Sequence, residues 1–134
     1  MKLNKINNIL NDLIIKLLIK DFIDYSCEFL SIEEKPIINI IYNEDFATNN
    51  KSFGSFDTGN NEISVVFVNR SIADSFRTLS HELCHYKQNI EGRIKDASKD
   101  GGTGSDIENE ANSTSGIIMR NYGKKHPIIF KLKV

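Results

Sequence analysis

The segment from Ser71 to Gly92 constrains the fold of this chain most, because its apolar residues recur at helical spacing along one face. A serine suited to capping a helix precedes the pattern, and a glycine follows it. The apolar stripe comprises Ile72, Phe76, Leu79, Leu83, Tyr86 and Ile90. His81 and His85 lie about 160° from the centre of this stripe. The segment therefore predicts a helix that packs against a core through one face and carries both histidines on the other.

The rest of the sequence predicts the other elements of an α+β domain. Residues 3–30 contain no glycine or proline and predict a long amphipathic helix with at most one break, and Pro36 prevents this helix from continuing. The capping pattern Ser105-x-x-Glu108 predicts a third helix that ends near Tyr122, with Gly123 as its stop. Strands are predicted at 37–42, 52–56 and 62–69, and loops at 43–51 and 96–104. The tail after residue 123 is predicted to be extended or to form a last strand. Together the strands predict a small, largely antiparallel sheet.

The length and charge of the chain limit the classes of protein to which it can belong. It has 134 residues and a net charge of −1, so we expect residues 1–134 to form one domain, with no electrostatic preference for nucleic acid or for an anionic membrane. Charged residues interrupt the apolar run L-I-I-K-L-L-I before it reaches the length of a membrane span. The two cysteines are isolated and form no disulfide framework, which favours a cytoplasmic location.

The pattern H-E-L-C-H at residues 81–85 has the spacing of a zinc site. Because residues i and i+4 share one face of a helix, the imidazoles of His81 and His85 can bind one Zn²⁺ ion. Glu82 is turned about 100° aside, where it can take a proton from water instead of binding the metal. The alternative interpretation is that two surface histidines lie on a solvated helix face.

A carboxylate is the expected third ligand, since the remaining histidine, His126, lies on the proline-containing tail. Two glutamates of the third helix compete for this role. The predicted buried stripe of this helix comprises Ile107, Ala111, Thr114, Ile117 and Ile118. Glu110 falls inside this stripe, where a carboxylate without a cation is costly, whereas Glu108 points outward and belongs to the capping pattern. The sequence therefore predicts Glu110 as the ligand and leaves Glu108 as the next candidate.

The H-E-L-C-H pattern and the later N-E-A-N-S at residues 109–113 together resemble the gluzincin metallopeptidases, in which a glutamate on the next helix completes a helical H-E-x-x-H. The short chain is also similar to the ImmA/IrrE-like and other phage-encoded metallopeptidases of mobile elements. The resemblance spans about residues 63–122 and implies a zincin-like fold, in which a sheet and the motif helix precede a third-ligand helix. It departs at Thr114, where thermolysin-like enzymes have an aspartate that orients a ligand histidine.

The function that the resemblance implies is zinc-dependent hydrolysis of a peptide bond in a peptide or protein substrate, with Glu82 as general base and then general acid. In the gluzincin pattern an extended substrate pairs with a sheet edge, which we expect at residues 63–68. The candidate donors to the oxyanion are Arg120, Tyr122 and His126. The alternative is a regulatory or inactive zinc-binding interaction domain that acts on one protein partner.

Overall fold

The structure, a computed structural model, describes residues 2–50, 52–95 and 105–134. In this part of the chain, four helices and a three-stranded sheet form an α+β fold. The helices are α1 (Lys2–Phe29), α2 (Glu44–Asn50), α3 (Ile72–Ile90) and α4 (Asp106–Lys125). The strands are β1 (Ile37–Ile41), β2 (Gly54–Asp57) and β3 (Glu62–Val66), and a 3-10 helix, Pro127–Phe130, follows α4. The predicted loop at 96–104 lies outside the described residues.

The first helix, α1, is continuous over 28 residues, so the predicted long helix is confirmed and the one break that the sequence left open does not occur. Its end is set by a backbone turn and not by Pro36. Ser31 has a φ of 56°, and the N–H of Ile32 donates to the carbonyl of Cys27 at 2.8 Å, which is a common way to close a helix C-terminus. Within the described residues, no helix combines the length and the apolar character needed to cross a bilayer.

The sheet is mixed, with the strand order β1-β3-β2. Strand β3 pairs parallel with β1 and antiparallel with β2, so the prediction of a largely antiparallel sheet holds for one of the two pairings. The chain between β1 and β3 is long enough for the crossover that a parallel pair requires. Because β3 is the central strand, residues 63–68 do not provide the edge that the sequence predicted. The edges are β1 and β2.

The core joins α1, α3 and α4. The apolar stripe of α3 is buried, as predicted, except for Ile90, which is exposed at the end of the helix. Phe22 of α1 stacks on Phe76 of α3 with ring centroids 4.2 Å apart, and Tyr122 of α4 meets both rings edge-on. Since this stripe is occupied by the core, the opposite face of α3 is left for the histidines.

Three predicted local features differ from the structure. The predicted loop at 43–51 contains α2, which Asn43 caps by accepting a backbone N–H at 2.8 Å. Gly123 lies inside α4 and does not end it; a Cβ there would lie only 2.7 Å from an aromatic carbon of the 3-10 helix, so the glycine permits this close packing. The tail forms that 3-10 helix first, and is extended only where Lys133 bridges Ser71.

Candidate metal centre

His81, Glu82 and His85 lie in the middle of α3, a helix whose two ends are fixed by the caps that the sequence predicts. Ser71 accepts a backbone N–H of the first turn at 3.1 Å, and Gly92 follows the last turn with a φ of 74°. Glu108, in the first turn of α4, reaches the histidine-bearing face, where His85 is buried. The two histidines therefore lie neither in the apolar core nor on a freely solvated helix face.

Three side chains, those of His81, His85 and Glu108, converge between α3 and α4. The Nε2 atoms of His81 and His85 are 3.1 Å apart. One carboxylate oxygen of Glu108 lies 2.9 Å from Nε2 of His81, and the other lies 3.0 Å from Nε2 of His85. Among the described residues, this is the one group of at least three histidine, cysteine or carboxylate side chains whose ligand atoms all lie within 4.8 Å of one another.

The structure brings Glu108, and not the predicted Glu110, beside the two histidines. The carboxylate of Glu110 forms a two-pronged ion pair with Arg93, at 2.7 and 2.8 Å, and accepts a hydrogen bond from Gln88 at 3.1 Å. The hydrogen bond from Arg93, reinforced by the one from Gln88, lowers the pKa of Glu110 to about 2. Glu110 thus has the cationic partner that the sequence argument supposed it to lack.

Glu108 faces the histidines in place of Glu110 because the buried stripe of α4 does not lie where the sequence predicted it. Ile117 is 47 % exposed, although the sequence counted it among the apolar contacts. The residues actually buried are Ile107, Ala111, Ser115, Ile118, Met119, Tyr122 and Gly123. This stripe is rotated towards Glu108, which lies within about 50° of its centre, while Glu110 lies more than about 100° away. The Ser105 cap is confirmed, but it uses the backbone N–H of Glu108 and leaves its carboxylate able to reach the histidines.

The donor set fits a zinc ion. Two imidazole nitrogens and a carboxylate are common zinc ligands, and bonds of about 2.0–2.1 Å in a tetrahedral site separate the ligand atoms by about 3.3 Å. The three separations between His81, His85 and Glu108 are 2.9, 3.1 and 3.0 Å. Burial lowers the pKa of His81, although the charge of Glu108 opposes this shift, so the structure favours the neutral imidazole that binds metals. The lone pairs of these ligand atoms therefore face one another, and a bound cation would relieve their mutual repulsion.

Glu82 is a buried carboxylate beside this cluster, but it is not one of the three converging ligands. Its exposed fraction is 9 %. Burial raises its pKa to about 7; the nearby charge of Glu108 adds to this shift and His85 opposes it. A carboxylate with this pKa can both accept and release a proton near neutral pH, which is the property of a general acid-base group.

Two clefts flank β2 and meet at Glu82. The first, of about 140 Å³, is lined by His85 together with apolar side chains that include Phe56 and Ile107. The second, of about 350 Å³, is lined by His81 and Arg77. Gly54 of β2 allows this arrangement, since a Cβ there would lie 2.4 Å from Cγ2 of Thr78 and 3.5 Å from Cγ of Glu82. The edge strand can therefore pass close to α3, next to the candidate general base.

The three oxyanion donors predicted from the sequence lie elsewhere. Tyr122 is fully buried and its hydroxyl donates to Asp21 of α1 at 2.8 Å; burial and this bond raise its pKa. The ring of His126 packs against Tyr122 with centroids 4.5 Å apart, and Arg120 is exposed on α4. Among the described residues that line the two clefts, none of these three is found.

Sequence reasoning missed three polar residues near the motif. Gln88 bonds His85, the Asn112 side chain bonds His81, and Arg77 lines a cleft. The sequence contains a signal that Gln88 lies near the histidines, because it follows His85 by three residues and His81 by seven, on the same helical face. Arg77 had the same kind of signal, four residues before His81. Asn112 had none, since its position depends on how α4 packs.

Compared with known proteins, the chain matches no protein-family model, no curated protein and no solved structure. The resemblance to the gluzincin peptidases thus rests on the motif residues alone. The function has to be inferred from the chemistry of the site.

Proposed function

We propose that this chain is a zinc-dependent peptidase whose metal ligands are His81, His85 and Glu108. The observation that carries the proposal is the convergence of their three ligand atoms beside a buried carboxylate, Glu82, that is not needed to hold the metal. A purely structural zinc site has no use for such a carboxylate, whereas a hydrolytic site requires one. Zinc in a site of this kind polarises a carbonyl group and lowers the pKa of a bound water towards 7.

Glu82 carries the proton transfers of the proposed reaction. Its carboxylate takes a proton from water as the water oxygen forms a bond to the carbonyl carbon of the substrate. The same carboxyl group then gives this proton to the amide nitrogen as the C–N bond breaks, which leaves a carboxylic acid and an amine. The second proton of the water stays on the new carboxyl group until that group ionises and the amine takes it up. Burial raises the pKa of this carboxyl in the metal-free protein, and a zinc ion beside it would lower that pKa again, so the carboxylate that starts the exchange is available near neutral pH.

Strand β2 is the proposed edge for substrate binding, in place of residues 63–68. Within the described residues β2 pairs with β3 alone, so its outer edge is available to an extended peptide. The two clefts on either side of β2 would then receive side chains of the peptide. Phe56, Ile94 and Ile107 make the first cleft suited to an apolar side chain. Arg77, which lines the second cleft, is the proposed donor to the oxyanion.

Replacement of Glu82 by glutamine tests this function. We expect Glu82→Gln to keep the metal, because the ligands are unchanged, and to lower the cleavage rate by about 10²–10⁴-fold, because the amide cannot accept the proton. The measurement is hydrolysis of an unfolded, fluorescently labelled protein by zinc-loaded enzyme. Unchanged cleavage with unchanged metal content in Glu82→Gln would exclude the proposed mechanism.

A second candidate is a zinc-binding domain that acts on one protein partner. The observation in its favour is the exposure of large apolar residues along α1: Ile6, Ile9, Leu10, Leu13 and Leu17. Such a surface is more typical of a docking site than of a freely solvated helix. Cleavage of the general unfolded substrate favours the peptidase of broad specificity; cleavage or binding seen only with a partner favours this second candidate.

A further inference from the structure

Gln88 is a buried amide that directly contacts a candidate ligand. It lies on α3 one turn after His85, and its exposed fraction is 1 %. Its Oε1 atom is 2.8 Å from Nδ1 of His85, the ring nitrogen that does not face Glu108. A buried polar side chain of this size requires hydrogen bonds to offset its desolvation, and their pattern determines which way the amide points.

Two acceptors fix the orientation of the Gln88 amide. Its NH₂ group donates to the carbonyl of Ile107 at 3.0 Å and to Oε1 of Glu110 at 3.1 Å. The reversed amide would place its oxygen against both of these acceptors, which is repulsive. Arg93 holds Glu110 in place through its two hydrogen bonds. The oxygen of Gln88 is therefore the atom that faces His85.

This orientation favours one tautomer of His85. An amide oxygen only accepts hydrogen bonds, so Gln88 favours a proton on Nδ1 of His85. In the neutral ring Nε2 then has a free lone pair, and Nε2 is the atom that lies 3.1 Å from His81 and 3.0 Å from Glu108. The Glu108 carboxylate also only accepts, so in the absence of a metal it favours a proton on Nε2 and competes with Gln88. Neutral imidazole in water favours the other tautomer, with its proton on Nε2, which cannot bind a metal through that atom.

We propose that Gln88 is a positioning residue that biases His85 towards the Nδ1–H tautomer, with the ion pair of Glu110 and Arg93 fixing the Gln88 amide in turn. This would supply the orienting partner that the resemblance leaves open at Thr114. The metal-binding consequence rests on the proposed function, whereas the contact between Nδ1 of His85 and Gln88 is a property of the metal-free protein. Orienting partners of ligand histidines typically change metal affinity by about 10–100-fold when they are removed.

The test is nitrogen-15 NMR of the histidine side chains in metal-free protein, at mildly alkaline pH, for the wild type and for Gln88→Met. Methionine has nearly the same shape but cannot accept the hydrogen bond from Nδ1 with comparable strength. Because Glu108 favours the Nε2–H tautomer in both proteins, we expect the Nδ1–H fraction of His85 to be larger in the wild type than in the variant. Zinc affinity, measured by competition with a chromophoric chelator, should fall about 10–100-fold.

A rescue variant separates positioning from packing. Gln88→Glu combined with Glu110→Gln restores an acceptor for Nδ1 of His85 and places an amide donor beside the new carboxylate, although one carboxylate oxygen then faces the Ile107 carbonyl. We therefore expect the Nδ1–H fraction to rise again and part of the zinc affinity to return. Equal Nδ1–H fractions in the wild type and in folded Gln88→Met, or no proton on Nδ1 of His85 in the wild type, overturn the inference, and the second result needs no variant to fold. If the tautomers are as expected but neither the wild type nor any variant binds zinc, the role of Gln88 is supported and the proposed function is overturned.

Discussion

Arg77 is the residue that most directly links the geometry of the site to the reaction. It lies four residues before His81 on the same helical face, and it is the one arginine or lysine among the described residues that line the two clefts. The Arg77 guanidinium forms neither a hydrogen bond nor an ion pair with any of the described residues, so its N–H groups are available to a substrate. A positive group here would stabilise negative charge that develops on a peptide carbonyl oxygen.

We expect Arg77→Met to lower kcat by about 10²–10³-fold, the usual cost of removing one oxyanion donor, and to leave metal content unchanged. Arg120→Met is the matched control, because Arg120 was a candidate from the sequence but lies exposed on α4 away from both clefts. Steady-state cleavage by both variants checks the prediction. Equal loss of rate in the two variants, or none in either, would contradict the role of Arg77.

At the scale of single residues, the sequence was sufficient to place His81, Glu82 and His85 together on one helix, but not to place the carboxylate that lies beside the histidines. The first three are set by spacing within one helix, which periodicity alone reveals. The choice between Glu108 and Glu110 depends on how α4 is rotated against α3. Because Ile117 is exposed and Ser115 is buried, the packed face of α4 lies closer to Glu108 than the sequence predicts. Side-chain polarity alone predicts the opposite for both residues.

Strand β2 is the element whose position matters most for the site, because it passes beside Glu82 through a close approach at Gly54. A methyl group at this position would meet Cγ2 of Thr78 at 2.4 Å, a distance that requires the strand or the helix to shift. Either shift displaces the clefts relative to Glu82. Small displacements of catalytic groups are costly, about 10²-fold in rate for 1 Å.

We therefore expect Gly54→Ala to lower kcat/KM by about 10–100-fold. The double variant Gly54→Ala with Thr78→Ser should recover most of the loss, since serine lacks the clashing methyl group but keeps the hydroxyl that donates to the Asp74 carbonyl at 3.2 Å. Thr78→Ser alone controls for the helix. Full activity in Gly54→Ala would show that the close approach of β2 has no bearing on the site.

Among the elements, those with clear end signals were predictable. Ser71 and Gly92 bound α3 as expected, and Ser105 caps α4. The short helix α2 was missed, although Asn43 precedes two acidic residues in the manner of a helix start, because seven residues show too little periodicity. The direction of strand pairing was partly missed as well, since apolar alternation does not specify whether neighbours run parallel.

On the scale of the whole molecule, the aromatic core determines how α3 and α4 face each other. Phe22, Phe76 and Tyr122 join three helices, and the hydroxyl of Tyr122 bonds Asp21 across the core. The sequence predicted the α+β class because helical and strand patterns were distinct. It also predicted a ligand from the third helix, but it could not predict which glutamate faces the histidines, because that depends on contacts between residues far apart in the chain. A metal held there would link α3 to α4 and add to the stability of the fold.

The most direct test of the account is the zinc content of untagged protein, purified without chelator, measured by elemental mass spectrometry for the wild type, Glu108→Gln and Glu110→Gln. Glu110→Gln is the matched control, because its amide oxygen can still accept the hydrogen bond from Gln88. We expect about one zinc per chain in the wild type and in Glu110→Gln, and little or none in Glu108→Gln. A metal-free wild type, or zinc lost in Glu110→Gln and retained in Glu108→Gln, would contradict the site described by His81, His85 and Glu108.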